Sequence, residues 1–181
     1  YPNNFAIKYN YDNESRINAI LDNTTQSKLY KVRDRDQLQR AKIIVYGNET
    51  GSQYYRNDYG NIIRIRQGYT YLPENGDLLD RDSLIFEEQP FINTEYSELC
   101  YTYNDAGLMS SRKDSVTRFR EIFEYDNLDR LTAFTVAKDT SVFEYHTTSF
   151  ADNGNILANS HIGAYSYDSI KLHAVTGITL D

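Results

Sequence analysis

The sequence predicts an all-β chain of tandem antiparallel β-hairpin repeats forming one long curved, spiralling sheet. Three observations predict it: an aromatic, turn, aliphatic frame that recurs along the chain, period-2 alternation inside that frame, and a composition led by tyrosine. There are 17 Tyr against no Trp, one Met and three Pro. Tyrosine favours strands and carries a polar tip on an apolar body, which suits half-buried pleated surfaces.

The frame is clearest in three places. Tyr9-Asn-Tyr11-Asp12 leads through Ser15 to Arg16 and Ile17, and Tyr101-Thr-Tyr103-Asn104 leads through Gly107 to Leu108 and Met109. Phe123-Glu-Tyr125-Asp126 leads through Asp129 to Arg130 and Leu131. Weaker copies occupy residues 30–38, 54–62 and 148–156, with Asp36, Gly60 and Gly154 at the small or turn position. The frames start at 9, 30, 54, 101, 123 and 148, so four of the five steps lie between 21 and 25 residues and one is 47. A fixed period of this size marks a repeat architecture. The step of 47 implies a degraded unit between Ile62 and Tyr101, with Tyr69, Tyr71 and Gly76 as its displaced remnant. The frames at 9–17, 30–38, 54–62, 101–109, 123–131 and 148–156 make residues 1–181 a single repeat region.

Each unit has a mechanical reading. Phe5, Ile7, Tyr9 and Tyr11 alternate with Ala6, Lys8, Asn10 and Asp12, which puts the aromatic set on one face of a strand. Phe119, Phe123 and Tyr125 share a face in the same way. Asp or Asn opens the turn, and Gly60, Gly107 or Gly154 stands where the backbone swings to positive φ before returning. Asp36 and Asp129 tolerate that conformation at some cost, Ser15 less well. A unit of about 22 residues then holds two strands and two turns. Hairpins are expected to turn near Asn13-Glu14, Asp34-Arg35, Asp58-Tyr59, Asp105-Ala106, Asn127-Leu128 and Asn153-Gly154. Only residues 34–42 have a helix-compatible composition, and the frame assigns them to turn and strand as well. Tyr9, Tyr11, Tyr101, Tyr103, Phe123 and Tyr125 are expected in strands, largely buried against aromatic neighbours from adjacent hairpins.

Several functions are disfavoured. The net charge is −7, with 19 basic residues scattered along the chain, so the concentrated basic footprint that nucleic acid or an anionic membrane requires is absent. No apolar run has the length of a membrane helix. One cysteine, Cys100, allows no intrachain disulfide and no cysteine-rich zinc site. The histidines His146, His161 and His173 stand in no catalytic motif, and neither a nucleophile elbow nor a phosphate-cradling loop occurs. Asp34, Asp36, Asp77, Asp80 and Asp82 lack the ligand spacing of a calcium loop and read as solvated turn carboxylates. The sequence therefore assigns no catalytic residue, no cofactor and no metal, and the chain is expected not to be an enzyme.

The Tyr-x-Tyr-Asp-x-x-Gly-Arg-Leu pattern resembles the YD repeat of the RHS family, which Phe123 to Leu131 follows with Asp129 in place of glycine. Residues 153–156, then Tyr165-Ser-Tyr167-Asp168, then residues 173–178, resemble a segment common in bacterial members. The resemblance implies a hairpin shell in a large secreted or cell-surface bacterial protein, enclosing or displaying a cargo such as a C-terminal toxin. Its partners would be the remainder of its parent chain and that toxin cargo. Repeats of this kind also occur in adhesion proteins, so the alternative is a cell-surface or carbohydrate-binding module with glycans as ligands. A chain beginning at Tyr1 is expected to be a piece of a longer protein. Its terminal units lack an obvious cap, so self-association through exposed edges, or fraying there, is expected.

Overall fold

The structure is a computed structural model that describes residues 5–70 and 92–180. The described residues form fourteen strands and no helix. They are β1 (Ile7–Tyr11), β2 (Ile17–Asp22), β3 (Lys28–Arg35), β4 (Ala41–Tyr46), β5 (Thr50–Arg56), β6 (Ile62–Thr70) and β7 (Ile92–Tyr103), followed by β8 (Met109–Asp114), β9 (Phe119–Tyr125), β10 (Leu131–Lys138), β11 (Ser141–Phe150), β12 (Ile156–Asn159), β13 (Gly163–Tyr167) and β14 (Val175–Thr179). Their hydrogen-bonded order is the chain order, β1 to β14, in one open antiparallel sheet. Each strand therefore pairs only with the strands before and after it, as short turn-rich connections dictate. The chain divides into two compact units, residues 1–100 and 101–181.

In the first unit the core centres on β4. Ile43, Ile44 and Val45 are consecutive and all buried, so this strand is covered on both faces, with Val32, Ala19 and Leu21 buried on β3 and β2. Ile44 stands between Val32 and Ser52 in register. Ser52 is fully buried and is satisfied by the Tyr46 hydroxyl at 3.3 Å and the Gln67 amide at 3.2 Å. In the second unit the buried apolar residues are Ala133 and Ala137 on β10. Beside them Phe123, Phe134 and His146 are aligned in register across β9, β10 and β11.

The frame aromatics lie in strands, but the expectation of burial is corrected. Tyr9 is 44% and Tyr11 59% exposed, while Tyr101, Tyr103, Phe123 and Tyr125 are half-buried. An open sheet supplies no opposing layer for large rings, so only small or branched side chains shielded by adjacent strands leave water completely. The ring pairs join other positions: Phe134 stacks on His146 at 4.6 Å, and Tyr30 meets Tyr46 at 6.1 Å.

Turns fall at Asn13-Glu14, Asp58-Tyr59, Asp105-Ala106 and Asn127-Leu128 as expected, and at Asp152-Asn153, one residue early. The expected turn at Asp34-Arg35 is wrong: those residues close β3, and the turn is at Gln37-Leu38. This frame begins three residues later than 30, with Arg33 and Arg35 at the two positions that are aromatic in the clearest copies. The long step is spanned by β6 and β7, which pair directly from Arg64↔Cys100 to Thr70↔Ile92. No strand stands between them in the sheet, and Tyr71 and Gly76 lie outside the described residues.

Candidate functional site: the hairpin junctions

Six turns share one construction. The amide of the fourth turn residue bonds the carbonyl of the first (Ser15→Asp12, Gln39→Asp36, Gly60→Asn57, Gly107→Asn104, Asp129→Asp126, Gly154→Ala151), and the first amide bonds the fifth carbonyl. That fourth residue has positive φ every time: Ser15 63°, Gln39 62°, Asp129 61°, Gly60 87°, Gly107 79° and Gly154 89°. The loop is a type I turn closed by a left-handed residue, which only glycine adopts without strain. Ser15→Gly, Gln39→Gly and Asp129→Gly should each raise stability by about 0.5–1 kcal/mol. Urea unfolding of the single and triple variants measures it.

The first turn residue is a clamp. Asp12 Oδ1 accepts the amides of Glu14 (3.0 Å) and Arg16 (2.9 Å), while Oδ2 accepts Arg16 Nε (2.9 Å). Asp36 does the same with Leu38 and Arg40, and Asp126 with Leu128 and Arg130. Asn57 and Asn104 keep the amide bond to the fifth residue where that residue is Asn61 or Leu108. Aspartate thus occurs with arginine four positions on, because an ionised carboxylate pairs the guanidinium that a neutral amide cannot.

These clamps titrate. The Arg16 amide bond, above all, holds Asp12 below the ordinary aspartate value of 3.8, and for Asp126 the leading cause is the Arg130 side chain. For Asp36, partial desolvation pulls upward but the bonds from Arg40 outweigh it. A carboxyl depressed in the folded state stabilises it fully above its unfolded value and loses that contribution as pH falls through the folded one. Acid should therefore lower the melting temperature below about pH 4, and Asp12→Asn/Asp36→Asn/Asp126→Asn should flatten that decline. Thermal melts across the acid range check it.

A second device ties each hairpin to the one before. Arg35, directly before Asp36, donates to the Ile17 carbonyl at 2.8 Å, and Arg56, directly before Asn57, donates to the Ala41 carbonyl at 3.1 Å. Tyr125 donates its hydroxyl to the Met109 carbonyl at 2.8 Å, and Tyr167 to that of Ile156 at 2.9 Å. All four acceptors are the residue just after the preceding turn. Arginine in the first unit and tyrosine in the second do one job. Phe150 has no such donor, and there Arg130 lies over its ring at 4.5 Å and reaches the Ala151 carbonyl at 3.3 Å. The last turn, residues 168–174, is longer. Asn155 pins it, donating to the Leu172 carbonyl and accepting from His173 Nδ1, both at 2.6 Å.

The remaining described candidates make ordinary neighbour contacts. His146 is sandwiched by Phe134, His161 and Glu144, and among the described residues no group of three potential ligands is placed to hold a metal. Asp34 pairs with Lys42 at 3.0 Å; Asp77, Asp80 and Asp82 lie outside the described residues. Cys100 is half-buried and free of disulfide. Leu131 opens β10, opposite Tyr125. No described helix is long and apolar enough to cross a membrane.

No protein-family model matches the chain, and no curated protein does. Solved structures match closely in shape. The crystal structure of TcdB2-TccC3-Cdc42 superposes over 95% of this chain with a TM-score of 0.65 at 11% identity. TcdB2-TccC3 without its hypervariable C-terminal region gives the same coverage and score at 10% identity. This chain has the fold of a TcdB2-TccC3 segment. A third likeness, TM-score 0.59 and 12% identity over 92% of this chain, is to the Tc holotoxin pore of Photorhabdus luminescens with a substitution in TccC3. The chain spans only 9%, 9% and 8% of those three chains. Against the TcdB2-TccC3 fold, the resemblance to RHS/YD repeats is met as a likeness of architecture.

Proposed function

We propose that this chain is a non-catalytic wall segment of a large RHS/YD-repeat protein, whose curved shell encloses or displays a cargo such as a C-terminal toxin. The observation that carries the reading is the repeated tie. Two hairpins in each unit are bonded to their predecessors through the same backbone position, a construction that suits a wall of hairpin repeats. Its partners are the rest of the parent chain and the cargo, and its setting is the bacterial surface or exterior. Limited proteolysis of the intact parent tests it. Cargo should resist cleavage in the wild type and become sensitive in an Arg56→Met/Tyr125→Phe variant that loosens two junctions. Cargo cut as fast as the same domain expressed alone would refute enclosure.

A further inference from the structure

We propose that the groove between the second and third hairpin tips of the first unit binds a carboxylate carried on an apolar group. The aspartate clamps follow a charge rule. At the first, two arginines face Asp12 Oδ2, Arg16 Nε at 2.9 Å and Arg35 Nε at 3.8 Å, and Glu14 pairs with Arg16 as a second acid. At Asp126 the pairing arginine is Arg130, and the residue before the turn is Tyr125, so one acid meets one cation. Asp36 breaks the rule. Arg40 Nε lies 2.7 Å and Arg56 Nη1 3.8 Å from Asp36 Oδ2, but Leu38 stands at the position of Glu14. Two guanidiniums therefore share one carboxylate.

A cavity of about 520 Å³ opens at this place, with Leu38, Arg40, Lys42, Tyr54, Arg56 and Asp58 in its lining, and that size suits a small ligand. The strands that frame it, β3 to β6, are each paired on both sides, so the groove does not arise from a strand left without a neighbour. Lys42 is matched by Asp34. The Arg40 side chain is 38% exposed and can present its guanidinium to a carboxylate, the anion whose planar geometry it matches. Leu38, 72% exposed, and the Tyr54 ring, over which Arg56 lies at 5.7 Å, offer apolar surface to the body of the ligand. Asp58, exposed at the tip of the next turn, opposes an anion and sets a limit on its affinity. A free organic acid and an acidic peptide side chain share the required chemistry. The site is independent of what the wall encloses.

Two-dimensional amide NMR of the chain titrated with phenylpropionate tests it. Saturable shifts should appear over residues 36–42 and 54–58, and the uncharged analogue phenylpropionamide should bind about tenfold more weakly. The blocked dipeptide acetyl-Glu-Phe-amide should move the same resonances, and the tighter of the two carboxylates tells a peptide source from a free acid. Leu38→Glu supplies the missing partner from within the chain and should abolish binding, whereas Leu38→Gln, of equal size and uncharged, should keep it. Asp58→Asn should tighten binding about twofold. Unchanged resonances elsewhere in the spectrum show that each variant is folded. Absence of these shifts with both carboxylates, an amide that binds as well as the acid, or equal binding by the Leu38→Glu and Leu38→Gln variants would overturn the proposal.

Discussion

Replacing Gly163 with alanine should detach the last strand while leaving the first unit folded. Gly163 has φ of 122° and pairs with Asn159 beside the Ala164↔Thr179 contact. A Cβ there would lie 2.0 Å from the Thr179 carbonyl oxygen and 3.0 Å from Leu180 Cα, so backbone must move. Strained φ and backbone collision together should cost on the order of 3 kcal/mol. Amide exchange reads the effect locally: protection should fall across β13 and β14 and persist across β3 to β5. Gly154→Ala is the control. Its φ is 89° but nothing lies within 4 Å of the added carbon, so the cost should be about 1 kcal/mol. Equal effects from the two substitutions would show that crowding at Thr179 is unimportant.

Ile43→Ala should destabilise the chain by about 2–4 kcal/mol, because Ile43 is only 5% exposed in the β4 core and its truncation leaves a cavity there. Phe123→Ala should cost less despite removing a larger side chain, about 1–2 kcal/mol, since half-buried Phe123 already meets water. Chemical unfolding followed by circular dichroism ranks the two. A greater loss at Phe123 would mean that aromatic packing, and not the aliphatic strand, holds the sheet.

The contrast shows which parts of the fold were legible in the sequence. Five turns could be placed to within a residue because Asp or Asn at the first position in four of them, and Gly at the fourth in three, suit the local backbone geometry. The turn after β3 was misplaced because Arg33 and Arg35 stand where the frame has aromatics. Sequence alternation does not reveal that an arginine can replace a tyrosine whose job is to reach a carbonyl. Burial was misjudged for a related reason. Period-2 alternation reports which side chains share a face but not whether anything covers it, and β4, the best-covered strand, does not alternate at all. Of the junctions, the Asp12, Asp36 and Asp126 clamps could have been found from arginine four residues on. The ties themselves, and the Asn155–His173 pin, join residues 11 to 18 positions apart, and no local pattern marks them.

The ties also explain how such a fold can be specified by very different sequences. On one side of each tie the required group is a backbone carbonyl, which all twenty amino acids carry, so the acceptor position is under no selection for identity. On the other side any long donor serves, tyrosine or arginine, and Phe150 shows that even a missing donor can be covered by the arginine of the preceding turn. What must be inherited is spacing and a tolerable turn residue, a far looser demand than a jigsaw core makes. Chains built this way can share a fold with very little sequence in common, as this chain does with the solved structures it superposes on at 10–12% identity.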